Sequence, residues 1–376
     1  MHWGLKLKRV FFCAIALILI QSIVLLLISC KSQNVVLSCD ENGDFTVLVV
    51  SDPQCDNALQ WDQAKRELQI LVERAEPDFV LINGDMNSEN KIPVDMWEHF
   101  ISPLTQRGIY WATTNGNHDP YTDKYYKMYK SYDKCLNAKV SVADINYEPS
   151  RPMNYVIPIY SNNQKEIVFA VYGMDSGGLN KSGYEGLTTK QINWYENESN
   201  QLKMLNGGKP VTSILCMHIP LPQTIDMYYS IDGGGTASDM KSGGLYNVYG
   251  IVNEPNPGLQ NYVCENGTMI ANTYFYTTAI NNDRGMFDKI LKQGDVKAVI
   301  FGHDHQINLA GSYKGVVLGF AGKLSTGCYS DELCRGGRVI KFNEADPEKF
   351  TVSWLASLEC CQDQPEIYSD GSLAQQ

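Results

Sequence analysis

The sequence lacks any basic block after its first ten residues. Acidic residues outnumber basic ones by 42 to 31, which gives a formal net charge of −11. Proteins that hold nucleic acid by its phosphates need clustered lysine and arginine, because counterion release drives that binding. We therefore expect no nucleic-acid partner.

Internal repeats, low-complexity segments and strong linkers are also absent. The chain has 376 residues, 44% of them hydrophobic, so it is long enough for one large or two small domains and for a sizeable packed core. Because no linker divides the chain, a single large domain is the simplest expectation. We place this domain at 45–360, after an N-terminal segment (1–30) and a spacer (31–44) and before a C-terminal tail (361–376).

One long apolar run stands at the N-terminus. Basic residues within the first nine positions precede the run from Val10 to Ile28. This order predicts a secretory signal or an uncleaved signal anchor, so we expect an exported protein, secreted or membrane-anchored on the extracytoplasmic side. The stretch from Leu27 to Cys30 also has the form of a bacterial lipobox, in which Cys30 would carry a lipid. A buried structural helix is the alternative, which the basic flank disfavours.

Cysteine is plentiful, with 11 in the chain. Cys13 and Cys30 belong to the N-terminal segment, and Cys216 lies in the apolar run "VTSILCMHIP", which predicts a buried thiol. Setting these three aside leaves eight of the 11. Those eight could form up to four disulfides in the oxidising compartment that export implies, with a pairing that the sequence leaves open.

Short apolar runs alternate with helical patterns along the chain. A run at 45–51 precedes an amphipathic stretch at 60–75, and a run at 78–83 precedes a helical pattern at 92–107 and a run at 109–114. Near-continuous apolar strands in this order predict an α/β fold with strands covered on both faces. Further predicted strands are 154–160, 166–173, 211–217, 296–301, 315–321, 337–342 and 350–356.

Three other segments carry specific predictions. Thr188 and Gln191 have the capping-box spacing at the start of a predicted helix at 188–205. The tyrosine-rich segment at 120–134 predicts a packing face rather than a ligand platform. Residues 230–268, rich in glycine and proline, predict a long surface insertion that could border a site.

Five of the apolar runs end in side chains that can bind metal ions. In chain order these side chains are Asp52 and Gln54, Asp85, Asn117 and His118, His218, and His303 and His305. In α/β sheets the loops beyond the carboxyl ends of the strands converge, and ligands bind there. We therefore expect these side chains to lie close together.

Each position also has an ordinary interpretation. Gly116, Asn117 and Asp119 are common turn formers, and "NG" at Asn115 and Gly116 is a frequent reverse-turn dipeptide. A single histidine at a strand end is more often a hydrogen-bonded loop residue than a ligand. However, four of the chain's 6 histidines lie at these strand ends, and this joint pattern favours a shared site.

Taken in order, the five strand ends resemble the motif blocks of the calcineurin-like metallophosphoesterases. The blocks are Asp52-x-Gln54, Gly84-Asp85, Gly116-Asn117-His118-Asp119, His218 and Gly302-His303-Asp304-His305. Within that superfamily, "MDSGG" (174–178) and "MHIPLPQ" (217–223) are similar to single-domain phosphatases related to purple acid phosphatases. The resemblance implies a four-layer αββα sandwich, in which helices flank two mixed β-sheets.

The resemblance also implies a dinuclear metal site. One ion would be held by Asp52, Gln54, Asp85 and His305, and the other by Asp85, Asn117, His218 and His303. The implied cofactors are two divalent ions, Mn, Fe, Zn or Mg, with Asp85 bridging them. A metal-bridging hydroxide would attack phosphorus, and His118, which would not bind metal, would assist the leaving group. Asp85 and His118 are thus the implied catalytic residues.

Two positions depart from the family pattern. The family usually has histidine where this chain has Gln54, and exchanging imidazole nitrogen for an amide oxygen favours harder ions such as Mn, Fe(II) or Mg. Purple members carry a metal-bound tyrosine at the position of Ser88, so we expect a colourless protein. Cys55 stands beside Gln54, where a disulfide is favoured over a soft metal ligand.

The leading hypothesis is an exported phosphatase acting on phosphate monoesters. A phosphodiesterase with the same metal core is the first alternative, since pocket shape decides between the two substrates. The second is a surface binding protein that keeps the scaffold without turnover. Gln54 favours that second alternative, whereas the otherwise full ligand set and His118 disfavour it.

Overall fold

Two β-sheets with helices on their outer faces make up the computed structural model of the chain. The structure describes residues 35–88, 91–119, 123–136, 154–180, 183–224, 227, 237–243, 248–252, 262–265, 268–271 and 284–374. By their contacts, the residues from Leu37 onward cluster as one unit.

The first sheet carries the strands that lead to Asp52, Asp85 and Asn117. In spatial order its described strands are β19 (Gln364–Tyr368), β18 (Thr351–Ala356), β17 (Gly336–Asn343), β2 (Asp44–Val50), β3 (Phe79–Asn83) and β4 (Tyr110–Thr114). The strands β2, β3 and β4 are parallel, whereas the pairs that involve β17, β18 and β19 are antiparallel. Every residue of β3 is buried, as expected for a strand covered on both faces.

The second sheet carries the strands that lead to His218, His303 and His305. In spatial order its described strands are β1 (Leu37–Ser38), β5 (Tyr155–Tyr160), β6 (Ile167–Met174), β9 (Ser213–Met217), β14 (Val296–Phe301), β16 (Val316–Phe320), β15 (Ala310–Tyr313), β11 (Val248–Val252) and β10 (Ala237–Gly243). The strands β6, β9, β14 and β16 are parallel, and antiparallel pairs flank them. Two short hairpins are separate, β7 (Leu179–Asn180) with β8 (Gly183–Tyr184) and β12 (Tyr262–Glu265) with β13 (Thr268–Ala271).

Helices cover the outer faces of the sheets. Against the first sheet lie α1 (Ala58–Ala75), α2 (Val94–Phe100), α3 (Ser102–Arg107) and α4 (Asp123–Ser131), and against the second lie α5 (Thr189–Leu205) and α6 (Met286–Gln293). Leu48 of β2 packs in one apolar cluster with Leu68 of α1. The inner faces meet each other, and Phe169 of β6 stacks on Phe342 of β17 with ring centroids 4.2 Å apart. The predicted αββα sandwich is confirmed.

Local sequence explains where these helices begin. The side chain of Asn57 caps α1 by accepting a backbone N–H, and Thr188 and Gln191 form the predicted capping box of α5. The helical pattern predicted at 92–107 corresponds to two helices, α2 and α3. Pro103, in the first turn of α3, has no N–H with which to continue the preceding helix, so a new helix begins there.

The tyrosine-rich segment forms a packing face, as predicted. Tyr125 and Tyr129 of α4 are buried. The ring of Tyr129 lies edge-on to Trp97 and Trp111, with centroid distances of 5.2 and 6.4 Å. This aromatic cluster fixes α4 against the sheet that carries β4.

Some elements lie outside the predicted domain boundaries of 45 and 360. The strand β1 falls in the predicted spacer and pairs with β5, and β19 falls in the predicted tail and pairs with β18. The helix α6 and the strand β15 had no counterpart in the sequence prediction. Much of the predicted insertion at 230–268 lies outside the described residues, and β10 and β11, which both belong to it, pair with each other at a sheet edge.

The N-terminal predictions concern residues 1–34, including Cys30, which lie outside the described residues. Among the helices that the structure describes, none combines the length and the apolar character needed to cross a bilayer.

The cysteines differ from the prediction. Eight have described side chains, and none of the predicted disulfides is found among them. Cys216 is buried, as predicted. The thiol of Cys55 contacts the carbonyl of Pro53 (3.2 Å), and burial raises its pKa to about 12. Cys55 is therefore a buried thiol that takes part in no disulfide among the described residues.

Candidate metal centre

Contacts between loops bring the predicted ligands together at the carboxyl ends of the strands. The backbone N–H of Gln54 donates to the Asp85 carbonyl (2.9 Å), which joins the loops after β2 and β3. The side-chain amide of Asn83, at the end of β3, donates to the Met217 carbonyl at the end of β9 (3.0 Å). The two sheets are thus tied to each other at the edge where the ligand side chains lie.

The first ligand group consists of Asp52, Asp85 and His305. One ligand atom of each lies within 4.8 Å of the others. His305 Nε2 is 3.3 Å from Asp52 Oδ1. His305 Nδ1 lies 2.9 Å from the Tyr329 carbonyl, which requires the proton on Nδ1 and leaves Nε2 facing the carboxylates.

The second ligand group consists of Asp85, His218 and His303, again with ligand atoms within 4.8 Å of one another. His218 Nε2 is 3.3 Å from Asp85 Oδ2, and its Nδ1 lies 2.8 Å from the Asn83 carbonyl. Asn83 therefore fixes the tautomer of His218 as Tyr329 fixes that of His305. Asp85 belongs to both groups and so occupies the position expected of a bridging residue.

Two neutral amides complete the predicted set. Gln54 is buried, and its Nε2 donates to Asp85 Oδ2 (2.9 Å). Asn117 is half-buried on the loop after β4. Each of the two has a buried side-chain oxygen without a hydrogen-bond partner among the described residues.

Four atoms of the ligand set are buried and lack a hydrogen-bond partner in the described part of the chain: Asp52 Oδ1, Gln54 Oε1, Asn117 Oδ1 and His218 Nε2. An unpaired buried polar group costs about 1–3 kcal/mol, so such a concentration is costly unless a ligand satisfies it. Carboxylate, amide and imidazole donors are those that divalent cations take. The residues therefore fit a pair of divalent ions.

Backbone strain is concentrated at the same positions. The φ angles of Asp52, Gln54, Asp85 and His303 are 53°, 39°, 53° and 73°. Residues other than glycine rarely adopt this left-handed conformation. Such strain persists where the surrounding structure enforces it, and it clusters at functional sites. An unfavourable backbone conformation therefore positions four of the predicted ligands.

Glycine is required at two positions beside the ligands. A Cβ at Gly116 would lie 2.1 Å from Asp85 Oδ1, and a Cβ at Gly302 would lie 2.1 Å from Ser51 Oγ. Ser51 Oγ in turn donates to Asp52 Oδ2 (2.5 Å). The close approach of these loops therefore explains both glycines.

Asp119 positions the loop of the bridging residue. Its carboxylate accepts the backbone N–H groups of Asp85 (2.7 Å), Met86 (2.9 Å) and Gly116 (2.8 Å). In the sequence Asp119 is an ordinary turn former, and Asn83 is one residue of an apolar run. The one signal for Asp119 is its place as the last residue of the Gly116-Asn117-His118-Asp119 block; Asn83 has a comparable signal in preceding Gly84-Asp85.

His118 belongs to neither ligand group. Its backbone N–H donates to Asp85 Oδ1 (2.8 Å), and its Nδ1 lies 3.2 Å from the carbonyl of Ser88. The imidazole is half-buried, so it is reached by solvent beside the ligand cluster. Ser88 supplies no phenol, in keeping with the expectation of a colourless protein.

The cluster has a strong preference for positive charge. Burial alone would lower the pKa of His218, but the Asp85 and Asp52 carboxylates outweigh it and raise that pKa to about 10. For His303, burial and the charge of His218 lower the pKa to about 3. Burial and the Asp85 charge raise the pKa of Asp119 to about 7. Protonated His218 therefore supplies positive charge between the Asp52 and Asp85 carboxylates, where a metal ion would supply it when bound.

The sandwich and the paired ligand groups define a metallophosphoesterase scaffold. The chain belongs to the calcineurin-like phosphoesterase family, whose model matches residues 45–307. The predicted family is thus confirmed.

The relatives fall within the purple acid phosphatase group. A "Probable inactive purple acid phosphatase 29" of Arabidopsis thaliana is 22% identical over 75% of this chain and 72% of its own length. A "Probable inactive purple acid phosphatase 14" of the same plant is 23% identical over 75% of this chain and 66% of its own length. Among solved structures, a dimetal phosphatase from Danio rerio aligns with a TM-score of 0.49 and 11% identity, covering 87% of this chain and 99% of its own.

Proposed function

We propose that this protein is an exported, dinuclear-metal phosphatase that hydrolyses phosphate monoesters. The observation that carries the proposal is the cluster of buried, unpartnered donor atoms on Asp52, Gln54, Asn117 and His218 around Asp85. In the proposal, Asp52, Gln54, Asp85 and His305 hold one ion, and Asp85, Asn117, His218 and His303 hold the other.

When bound, two divalent ions would supply an activated water and neutralise charge on the phosphoryl group. The protein's own residues would do the rest. Asp85 would keep the two sites adjacent, because its carboxylate is fixed by the His118 N–H and the Gln54 amide. Asn83 and Tyr329 would keep the imidazoles of His218 and His305 in the required tautomers.

In the proposal, His118 assists the leaving group. The Ser88 carbonyl holds Nδ1, so Nε2 is the ring nitrogen left to give a proton to a departing alkoxide. Because the His118 ring belongs to neither ligand group, a metal ion does not compete with the proton for Nε2.

A second function is favoured by two observations. The relatives carry the word inactive in their names, and Gln54 replaces the family's usual histidine. A surface binding protein that keeps the scaffold without turnover would account for both. The four unpartnered atoms of the ligand set support retained metal binding, and a half-buried His118 outside both ligand groups supports turnover.

Parallel hydrolysis assays test the function. The metal-free chain is reconstituted with Mn, Fe, Zn or Mg and given an aryl phosphomonoester and the corresponding diester. We expect preferential hydrolysis of the monoester with at least one metal. Preferential hydrolysis of the diester would favour the phosphodiesterase, whereas a chain that binds ions but hydrolyses neither ester would favour the binding protein.

Export is part of the proposal and rests on the N-terminal sequence pattern alone. Cell fractionation of the wild type and of Cys30→Ala separates its forms. A membrane-bound wild type that Cys30→Ala releases indicates a lipoprotein, and retention of both in the membrane indicates a signal anchor. Recovery of both from the cytosol would contradict export.

A further inference from the structure

Lys323 is a buried lysine that the proposed chemistry leaves unused. It lies just beyond β16, is 0% exposed, and donates from Nζ to the main-chain carbonyl of Asp52 (2.8 Å). Its own main chain is fixed by hydrogen bonds to the Cys334 carbonyl (3.0 Å) and from the Gly336 N–H (3.1 Å). The ammonium group is therefore held at a defined place behind Asp52.

The surroundings of Lys323 differ from those of the other buried cations in the described chain. Arg335 pairs with a glutamate of α1, and Arg338 donates to main-chain carbonyls. Burial lowers the pKa of Lys323, and the carboxylates of the first ligand group, Asp52 foremost, oppose that shift. The hydrogen bond from Nζ places the ammonium group directly against Asp52, which belongs to the first ligand group and not to the second.

Without an ion, the carboxylates of Asp52 and Asp85 are two buried like charges. A fixed cation beside them offsets this repulsion and favours the folded metal-free chain. The same cation repels an arriving divalent ion, because the Coulomb energy between fixed charges is large where water is excluded. The proposed ion site at the first ligand group also has an amide, Gln54, in place of an imidazole. The charge of Lys323 and this amide therefore both weaken the binding of a divalent ion there.

We propose that Lys323 is a fixed internal cation that weakens divalent-ion binding at the first ligand group relative to the second. The centre then loads in two steps, and the supply of the second ion limits turnover. This inference rests on the dinuclear site of the proposed function.

Calorimetric titration of the metal-free full chain with Mn²⁺ tests the inference, with Lys323→Gln and Lys323→Arg as a matched pair. Glutamine keeps a donor for the Asp52 carbonyl and removes the charge, whereas arginine keeps both. We expect the weaker of two binding steps to tighten by roughly tenfold or more in Lys323→Gln and to match the wild type in Lys323→Arg. A purely structural role predicts the opposite sign, so weaker or unchanged binding in Lys323→Gln overturns the inference.

The wild-type chain gives a second test that does not depend on whether a variant folds. Electron paramagnetic resonance during Mn²⁺ addition should first give isolated ions and only then a spin-coupled pair, and His305→Ala should remove the weaker step alone. Simultaneous loading, or loss of the tighter step in His305→Ala, overturns the inference. These readouts use no ester, so they distinguish its failure from a failure of the proposed phosphatase activity.

Discussion

Asp85 has different partners on its two carboxylate oxygens. Oδ1 accepts the backbone N–H of His118 (2.8 Å), whereas Oδ2 accepts the Gln54 amide (2.9 Å) and lies 3.3 Å from His218 Nε2. A backbone donor thus orients the carboxylate through Oδ1, whereas Oδ2 faces Gln54 and His218, one residue of each proposed ion site. Metal binding and turnover can therefore be tested separately, by substitutions at Asp85 and at His118.

Replacing His118 with alanine should remove turnover and leave metal binding intact. With an alkyl phosphate, whose leaving group needs a proton, we expect the rate to fall roughly a hundred- to ten-thousand-fold. An aryl phosphate with an acidic leaving group should lose less. Rates on both esters and the metal content of the variant check this, and wild-type hydrolysis of the alkyl ester would show that the assigned role is wrong.

Gln54→His tests the origin of metal preference. An imidazole in place of the amide should increase the affinity for Zn relative to Mn or Mg, because nitrogen donors suit the softer ion. Competition titrations with pairs of metals measure the ratio. Gln106→His, at an exposed position of α3, is the control, and an unchanged ratio in Gln54→His would discredit the argument about this position.

Metal binding should release protons. The pKa of His218 is raised to about 10 in the metal-free chain, so this residue is protonated at neutral pH, and an ion must displace the proton to reach Nε2. A raised pKa means a tightly held proton, so affinity for the ion should fall as the pH falls below about 10. Titrations in buffers of different ionisation enthalpy measure the release, and identical heats in all buffers would contradict the prediction.

The elements that sequence reasoning predicted are those with a strong local pattern. The strands that lead to the ligands are apolar and buried on both faces, and α5 begins at a capping box that is visible in the sequence. The edge strands β1 and β19 are short and lack such a pattern, and the pairing of β1 depends on β5, a neighbour distant along the chain. The same reason hid Asp119 and Lys323, whose partners become adjacent only in the folded sheets.

A buried ion pair joins α1 to the loop that carries Lys323. Glu67 contacts Arg335, and its Oε2 accepts from the Ser325 N–H (3.2 Å) and from Ser357 Oγ (2.9 Å). Because removal of one partner leaves the other charge buried and unpaired, we expect Glu67→Ala to lower the free energy of unfolding by about 3–5 kcal/mol.

The matched control is an exposed ion pair on the same helix. Arg66 lies 3.0 Å from Asp62 with 62% of its side chain exposed, so Arg66→Ala should change the free energy of unfolding by about 0–1 kcal/mol. Denaturant unfolding of both variants in the metal-free state gives the comparison. Equal losses in Glu67→Ala and Arg66→Ala would show that the buried pair does not fix α1 to this loop.

At the scale of the whole molecule, each sheet supplies part of a site that neither could form alone. The first sheet contributes Asp52, Gln54, Asp85 and Asn117, and the second contributes His218, His303 and His305. Strand order and the tendency of ligands to gather at strand ends predicted this convergence from the sequence. The protonation, tautomers and strained backbone that prepare the site required the packed sandwich.

The central claim is that this sandwich holds two ions around Asp85. The most direct measurement is the metal content per chain after reconstitution and removal of loose ions, for the wild type, Asp85→Asn and the exposed-site control Asp62→Asn. We predict two retained ions per chain in the wild type and in Asp62→Asn. Asp85→Asn should bind ions more than about a hundredfold more weakly and therefore retain fewer than two. A wild-type chain that retains no ion, or an Asp85→Asn chain that retains both, would contradict the account.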